Sequence, residues 1–347
     1  VRRRLPPPAA AGEVVAAAAG GDGAAEWDTT TNRLIDMSTV GFLFLMLPQI
    51  LKNAGNLAAG NAAALSILPW MGYTTGLLGN LLLLTYFAGK KERGATIVQA
   101  VGVVSTAFLV TQIFIAGHMP PAAFWPGAAL ITTGLLLNVA SFRGALSGQT
   151  GQRILGAWQG FIGLVGVAVL PGIVWNTFSS TQTLLPGIVG VVSGAAFLCL
   201  ESLKLLPKAL QGVWGKVSAW AATLLFMFMP VAQLRANFVN PASLEGISLV
   251  FVLLATASNG LMVPRALLTK DIIWLTGCTW GSLMMGWAQL LSMYLGRGAA
   301  GARYLPGAAF WGLSAAFALY YLAVLVKTNE AQGGAGPASP IKALFNK

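Results

Sequence analysis

Long apolar runs follow one another almost without a break through this 347-residue chain. Each run is long enough to cross the roughly 30 Å hydrocarbon layer of a bilayer as a helix. The sequence predicts ten such spans, with nine as the alternative if one weak segment is lost: 37–56, 62–88, 94–116, 121–141, 154–178, 183–203, 214–236, 243–268, 271–296 and 305–326. Only 9% of the residues are charged, too few to solvate a soluble fold with this much apolar surface. We therefore predict an all-α polytopic membrane protein, which excludes cytosolic enzymes, nucleic-acid binders and disordered proteins.

Basic residues concentrate on one side of this predicted arrangement. Alternating spans place 17 of the 21 lysines and arginines on the side of the N-terminus. The other side keeps Lys52, Arg235, Arg297 and Arg303. Because short loops rich in Lys and Arg tend not to be translocated, this partition favours ten spans with both termini on the basic side.

Both ends of the chain differ in composition from its centre. Residues 1–35 are rich in Ala, Gly and Pro and carry arginines at positions 2, 3 and 4. They predict a disordered tail, interpreted as the remnant of an organelle-targeting segment. Residues 328–347 predict a polar C-terminal tail.

Polar residues recur in the same order in predicted helices 1–3 and 7–9. The matched pairs are Pro48 and Pro230, Gln49 and Gln233, Asn53 and Asn237, Ser66 and Ser248, Asn80 and Asn259, and Gln112 and Gln289. Their separations change only from 184 to 177 residues, as small insertions would produce. Six helices, an even number, separate the copies. The pattern predicts two parallel three-helix repeats, an architecture that transporters use.

These repeats define the predicted domain organisation. The first repeat covers 36–116, connecting helices 4–6 cover 117–212, the second repeat covers 213–296, and a last helix covers 297–327. An alternative pairs helix 1 with helix 5, where Pro171 and Asn176 keep the spacing of Pro48 and Asn53.

Ionisable side chains are expected only at the ends of the predicted helices. The acidic residues near the spans, Asp36, Glu201, Glu245 and Asp271, all fall at predicted ends. Buried charges in a bilayer mark ion pathways and proton relays. Their absence from the predicted span centres favours an uncharged cargo without ion coupling.

Cysteine and histidine give no sign of a metal site. His118 is the single histidine, and Cys199 and Cys278 lie 79 residues apart within apolar runs. A single histidine and two such distant cysteines indicate neither a disulfide framework nor a metal site. We therefore expect no cofactor. An acyl or glycosyl transferase would need a carboxylate or histidine cluster, so we do not expect an enzyme.

Amides and indoles are the polar groups that the predicted helices bury. Amides pair with vicinal hydroxyls, and an indole face packs against the apolar face of a sugar ring. The candidate substrate-binding residues are Gln49, Trp70, Asn80, Gln112, Gln233, Asn259, Trp280 and Gln289. Trp70 and Trp280 are predicted near the middle of the membrane, and Trp125 at its interface. Cohesion between helices is the alternative role for each amide.

Prolines lie within four of the repeat helices: Pro48, Pro69, Pro230 and Pro264. A proline frees a backbone carbonyl and permits a bend. We interpret these four residues as candidate hinges, with a static bend as the alternative.

Five longer strings carry a family resemblance: LPQILKN (47–53), LPWMGYTTGLLGNLLLLTYFAGKK (68–91), GVVST (102–106), WAATLLFMFMPVAQLRANFVNP (220–241) and SNGLMVPRALLTKDIIWLTG (258–277). They resemble the plant and algal maltose-excess protein family of plastid maltose transporters. The resemblance extends from about Trp27 to about Val324. The Pro-Gln repeats are themselves similar to those of the PQ-loop superfamily, which includes the SWEET sugar transporters.

The resemblance implies a facilitator in the chloroplast inner envelope that exports maltose from starch breakdown, with its termini in the stroma. The expected partners are a neutral sugar, maltose or glucose, and the lipid bilayer. The alternative function is a proton-coupled carrier of another small neutral solute, such as glucose or an amino acid.

Overall fold

Helices account for nearly all regular structure in this chain. The computed structural model describes residues 22–66, 68, 70–179, 181, 183–239, 244, 247–298, 301–334, 336 and 339–344. Ten long helical segments occur in these residues: α1 Asp22–Ala58, α2 Trp70–Lys90, α3 Arg93–Ile115, α4 Pro121–Phe142, α5 Gln149–Phe178, α6 Leu185–Ser202, α7 Trp214–Val239, α8 Leu249–Leu268, α9 from Ile272–Trp280 through Gly281–Trp287 to Ala288–Leu295, and α10 Gly307–Ala331. The predicted all-α class is confirmed for the described residues.

Seven helices in the described part of the chain are long and apolar enough to cross a membrane. They are α1, α3, α4, α5, α6, α8 and α10. Each of the ten predicted spans overlaps one long helical segment. The finding supports a polytopic membrane protein, while the number of spans stays a prediction.

Helix α1 begins well before its predicted start. We expected residues 1–35 to form a disordered tail, but helix α1 starts at Asp22. Thr31 and Ile35 are buried on this extension, and Trp27 Nε1 donates to Thr328 Oγ1 of α10 at 3.2 Å. Tertiary packing therefore orders a segment whose composition alone predicts disorder. The extension also places Asp36 inside a helix, with its side chain exposed, instead of at a helix end. Residues 1–21 lie outside the described residues.

Helix α2 begins later than predicted. The expected span 62–88 is divided into a 3₁₀ turn, Ala62–Leu65, and α2, which starts at Trp70. Proline disfavours the helical conformation for the residue before it, so Pro69 in the sequence explains the late start. Trp70 is consequently the first residue of α2, which corrects its expected position near the middle of the span.

The C-terminal boundary also shifts. Helix α10 extends to Ala331, four residues beyond the predicted end of the last helix at 327. Beyond it, Ser339–Lys342 forms a short helical turn and Leu344 is buried. These parts of the predicted polar tail are therefore ordered.

Three helices on the predicted basic side end at a lysine with positive φ. Lys91, Lys204 and Lys270 follow α2, α6 and α8 with φ of 60°, 56° and 53°. This left-handed conformation usually belongs to glycine at a helix C-terminus. After α8, the backbone N–H of Asp271 donates to Ala266 O at 3.0 Å, which closes the turn. A basic side chain at this position also complements the negative end of the helix dipole.

The chain divides into two compact units. The first unit contains Val1–Phe42, Lys90–Gly94 and Gln233–Lys347, and the second contains Leu43–Gly89 and Ala95–Ala232. An apolar cluster forms part of the core of the first unit: Leu244, Val252, Leu290, Met293, Leu305 and Phe310.

Small residues allow helices of the second unit to pack closely. Gly187 and Gly190 of α6 lie against the backbone carbonyls of Ala168 and Val167 in α5. Close helix packing through small residues is typical of membrane proteins.

Prolines do not interrupt the helices that contain them. Pro48 lies inside α1, Pro230 inside α7 and Pro264 inside α8, and each helix continues on both sides. Pro69 lies outside the described residues. The hinge role of these residues stays a prediction.

Candidate functional site

Three amide side chains of the second unit meet at one turn of α1. Gln49 Nε2 donates to Asn53 Oδ1 at 2.7 Å, and Gln112 Nε2 of α3 donates to the carbonyl of Ile50 at 2.9 Å. Asn53 is only 1% exposed. Two predicted site residues, Gln49 and Gln112, thus meet around a buried asparagine that the site prediction omitted.

Asn80 lies against a glycine on the neighbouring helix. A Cβ atom at Gly102 of α3 would lie 2.9 Å from Asn80 Nδ2. Asn80 itself is half-buried.

Asn259 has the same relationship to a glycine in the first unit. A Cβ atom at Gly281 of α9 would collide with the Asn259 amide. In contrast to Asn80, Asn259 is fully buried, and its Nδ2 donates to the Ala255 carbonyl at 2.9 Å. Its Oδ1 has no partner in the part of the chain that the structure describes.

A π-helical segment begins beside Asn259. Residues Gly281–Trp287 interrupt the α-helical geometry of α9 directly after Trp280, which is half-buried. Such segments are rare and frequently occur at functional sites. Gly286 allows the side chain of Thr256 in α8 to approach the segment closely. The predicted site residues Asn259 and Trp280 therefore both lie at the start of this irregular segment.

A second amide pair lies near the end of α9. Asn237 Nδ2 donates to Gln289 Oε1 at 2.6 Å and to Ser292 Oγ at 3.1 Å. All three residues are buried. In this structure the predicted site residue Gln289 bonds a neighbouring helix. The side chain of Gln233 lies outside the described residues.

Charged residues of the first unit form a network at helix ends. Arg265, near the end of α8, pairs with Asp28 of α1 and lies 3.8 Å from Glu92 Oε2 in the turn between α2 and α3. In the same region Lys90 Nζ lies 2.7 Å from Asp271 Oδ2. Burial raises the pKa of Glu92 although the Arg265 charge opposes the shift. The sequence placed Arg265 and Asp271 at helix ends, but the pairing partners required the fold.

The amide clusters provide neutral hydrogen-bonding groups. Each amide offers both donors and acceptors, which suits a hydroxyl-rich, uncharged ligand. No group of three or more His, Cys, Asp or Glu side chains that could hold a metal ion occurs within the described ranges.

The sequence contains a signal for the two glycines that contact Asn80 and Asn259: each glycine follows its asparagine at the same spacing. Gly102 follows Asn80 by 22 residues, and Gly281 follows Asn259 by the same distance. Asn53 and Asn237 were visible as matched polar residues but were not selected as site residues.

Comparison with known proteins identifies the family. A profile described as the Maltose excess protein 1 N-terminal domain matches residues 21–147. The chain is 45% identical over 271 residues to "Maltose excess protein 1-like, chloroplastic" of Oryza sativa subsp. japonica, covering 78% of this chain and 67% of the relative. The chain belongs to the maltose excess protein family.

A second family member gives the same result. "Maltose excess protein 1, chloroplastic" of Arabidopsis thaliana is 43% identical over 273 residues, covering 78% of this chain and 65% of the relative. The chain thus spans about two thirds of the length of these maltose excess proteins. No solved structure matches it. The predicted family resemblance is confirmed.

Proposed function

We propose that this chain transports maltose across the chloroplast inner envelope by facilitated diffusion, with alternating access and export to the cytosol. The family membership supports this function because both relatives carry the names maltose excess protein and chloroplastic. The seven apolar helices support a membrane location.

The chemistry of the buried polar residues supports a neutral cargo. Gln49, Asn80, Gln112 and Asn259 offer amide donors and acceptors, whereas the charged residues Arg265 and Asp271 are paired at helix ends. A proton-coupled carrier normally keeps a titratable group within its span. We therefore propose transport driven by the sugar gradient alone.

We further propose ten spans, both termini in the stroma and two parallel PQ-loop-like repeats similar to those of SWEET transporters. The equal spacing of Asn80 to Gly102 and of Asn259 to Gly281 supports the repeat, because the same residue types make the same close approach. Cysteines introduced at Gly148 and Gly298 test the topology. They should react with impermeant reagents from opposite faces, and labelling from the same face would reject the ten-span arrangement.

Uptake into proteoliposomes tests the cargo and the energetics. Labelled maltose, glucose and a neutral amino acid would be compared at two pH values. We expect maltose uptake that follows the sugar gradient and does not respond to an imposed proton gradient. Several-fold acceleration by an inward-acid gradient would support the proton-coupled alternative, and absence of maltose uptake would reject the proposed cargo.

Two asparagines are the proposed hydrogen-bonding residues for the sugar. Asn80→Ala and Asn259→Ala should each weaken the apparent affinity for maltose roughly ten- to a hundredfold. Trp70→Ala and Trp280→Ala should also reduce transport, through lost stacking. Trp125→Ala is the control, because Trp125 is 62% exposed whereas Trp70 and Trp280 are half-buried. Wild-type maltose transport by both asparagine variants would assign these amides to helix cohesion.

A further inference from the structure

Asn53 and Gln112 each bury one polar atom that lacks a partner among the described residues. These atoms are Asn53 Nδ2, a donor, and Gln112 Oε1, an acceptor. The other polar atom of each amide is already bonded, to Gln49 Nε2 and to the Ile50 carbonyl. Ile50 and Asn53 are three residues apart and therefore neighbours on one face of α1. The unpartnered donor thus lies on α1, and the unpartnered acceptor belongs to an α3 side chain that bonds the same turn of α1.

The corresponding amides in the first unit form a hydrogen bond with each other. By the sequence offsets, Asn237 corresponds to Asn53 and Gln289 to Gln112. Asn237 Nδ2 donates to Gln289 Oε1 at 2.6 Å, which uses the two atom types that are unpartnered at Asn53 and Gln112. Ser292 gives Asn237 a second partner. Gln112 and Gln289 are 177 residues apart, and the residue 177 positions before Ser292 is Ile115. The side chain of Ile115 has no hydroxyl group.

The unpartnered atoms select one kind of chemical group. A buried donor and a buried acceptor without partners are costly. A single hydroxyl that reaches both atoms would satisfy them, because it accepts from Asn53 Nδ2 and donates to Gln112 Oε1. A methyl group satisfies neither, a carboxylate only the donor and an ammonium only the acceptor.

We propose that Asn53 and Gln112 form a subsite for one hydroxyl group of the transported sugar. This inference rests on the proposed function, because maltose supplies the hydroxyl. Asn53 is 1% exposed, so the surrounding side chains must move to admit the sugar. Pro48 lies five residues earlier in α1 and has no N–H to bond a carbonyl of the preceding turn, which lets the helix bend there.

Transport selectivity among hydroxyl-deleted sugars tests the subsite. Wild-type protein, Asn53→Ala and Gln112→Leu would be compared in proteoliposomes with maltose and a complete set of monodeoxymaltoses. We expect the wild type to bind one monodeoxymaltose roughly ten- to a hundredfold more weakly than maltose. Both variants should bind maltose more weakly than the wild type by a similar factor. They should no longer distinguish maltose from that analogue.

Matched control variants come from the first unit. Asn237→Ala and Ser292→Ala remove groups that bond each other, so they should lower thermal stability and keep the wild-type order of preference among the analogues. If Asn53→Ala fails to fold, Asn53→Ser keeps a donor but shortens its reach, and it should lose the same discrimination.

The outcomes separate this inference from the proposed function. Full wild-type discrimination in the folded Asn53 and Gln112 variants would overturn the subsite and indicate that the two atoms bind a buried water only. Equal loss of discrimination in the Asn237 and Ser292 controls would also overturn it. Failure of the proposed function would appear in the wild type itself, as absence of maltose uptake.

Discussion

Lys90 Nζ lies 2.7 Å from Asp271 Oδ2 and thereby joins two turns that are 181 residues apart in the sequence. Each residue sits next to a lysine with positive φ, Lys91 or Lys270. Asp271 also caps α9, since its Oδ1 accepts from the backbone N–H groups of Ile273 and Trp274, both at 3.1 Å. One carboxylate therefore connects the turn after α2 to the start of α9.

The two roles of Asp271 should separate by substitution. Asp271→Asn keeps an oxygen for capping and loses the ion pair, which is worth at most about 1 kcal/mol because the Lys90 side chain is 44% exposed. Asp271→Ala also loses the cap, at about a further 1 kcal/mol. Thermal unfolding in detergent should rank wild type, Asp271→Asn and Asp271→Ala in descending stability. Equal losses in the two variants would contradict a capping role.

Glu92 should make stability depend on pH in a direction opposite to that of most surface carboxylates. Burial raises its pKa above the ordinary value of 4.5, and Arg265 only partly opposes this shift. The folded state therefore holds the proton to higher pH than the unfolded state does. Its contribution to stability is present below 4.5 and is lost as pH rises through the raised pKa.

Glu92→Gln removes this titration. Its melting temperature relative to wild type should increase as pH rises above 4.5 and become constant above the raised pKa. Glu330→Gln is the control, because Glu330 is exposed and pairs only within one turn of α10. A Glu92→Gln difference that decreases with rising pH would mean that ionised Glu92 is stabilised in the fold.

Replacing Thr85 should lower the stability of the fold more than the small size of its side chain suggests. Its hydroxyl accepts from Asn138 Nδ2 at 3.0 Å and from Trp158 Nε1 at 3.2 Å, so it connects α2 to α4 and α5. Thr85→Val keeps the shape but leaves both donors without this acceptor, which should cost about 1–3 kcal/mol. Thr75→Val is the matched control in the same helix, because the Thr75 hydroxyl bonds its own helix at Met71 O. Thermal unfolding should show a clear loss for the first variant only.

Glycines beside the two asparagines should be sensitive to a single methyl group. Gly281→Ala would place a Cβ against the fully buried Asn259 amide, so we expect reduced stability and loss of transport. Gly102→Ala would place a Cβ against the Asn80 amide, which is only half-buried, so we expect the fold to persist while maltose affinity falls.

Gly172→Ala provides the control in α5, because no other group lies within 4 Å of its added Cβ. Melting temperature and maltose uptake would be measured for all three variants. Wild-type uptake by Gly102→Ala would indicate that the position of Asn80 does not affect sugar binding.

The sequence by itself determined the fold class, the family and the approximate position of every long helix. Apolar runs and their charge partition are read directly from residue order, because a helix that spans a bilayer needs about 20 predominantly apolar residues. The matched amides were also visible, since buried polar residues are scarce in such segments. The strings around Asn80 and Asn259 carried the family resemblance.

Tertiary structure decided which residues are ordered and which are paired. The sequence predicted a disordered tail through residue 35, yet Trp27 contacts Thr328, 301 residues away, and Asp28 pairs with Arg265. Local composition cannot encode such partners, because packing against a distant helix supplies the free energy that orders the segment. The same reason explains why Asn237 Nδ2 bonds Gln289 and Ser292 while Asn53 Nδ2 has no partner among the described residues. Their local sequences are alike, and only the neighbouring helix distinguishes them.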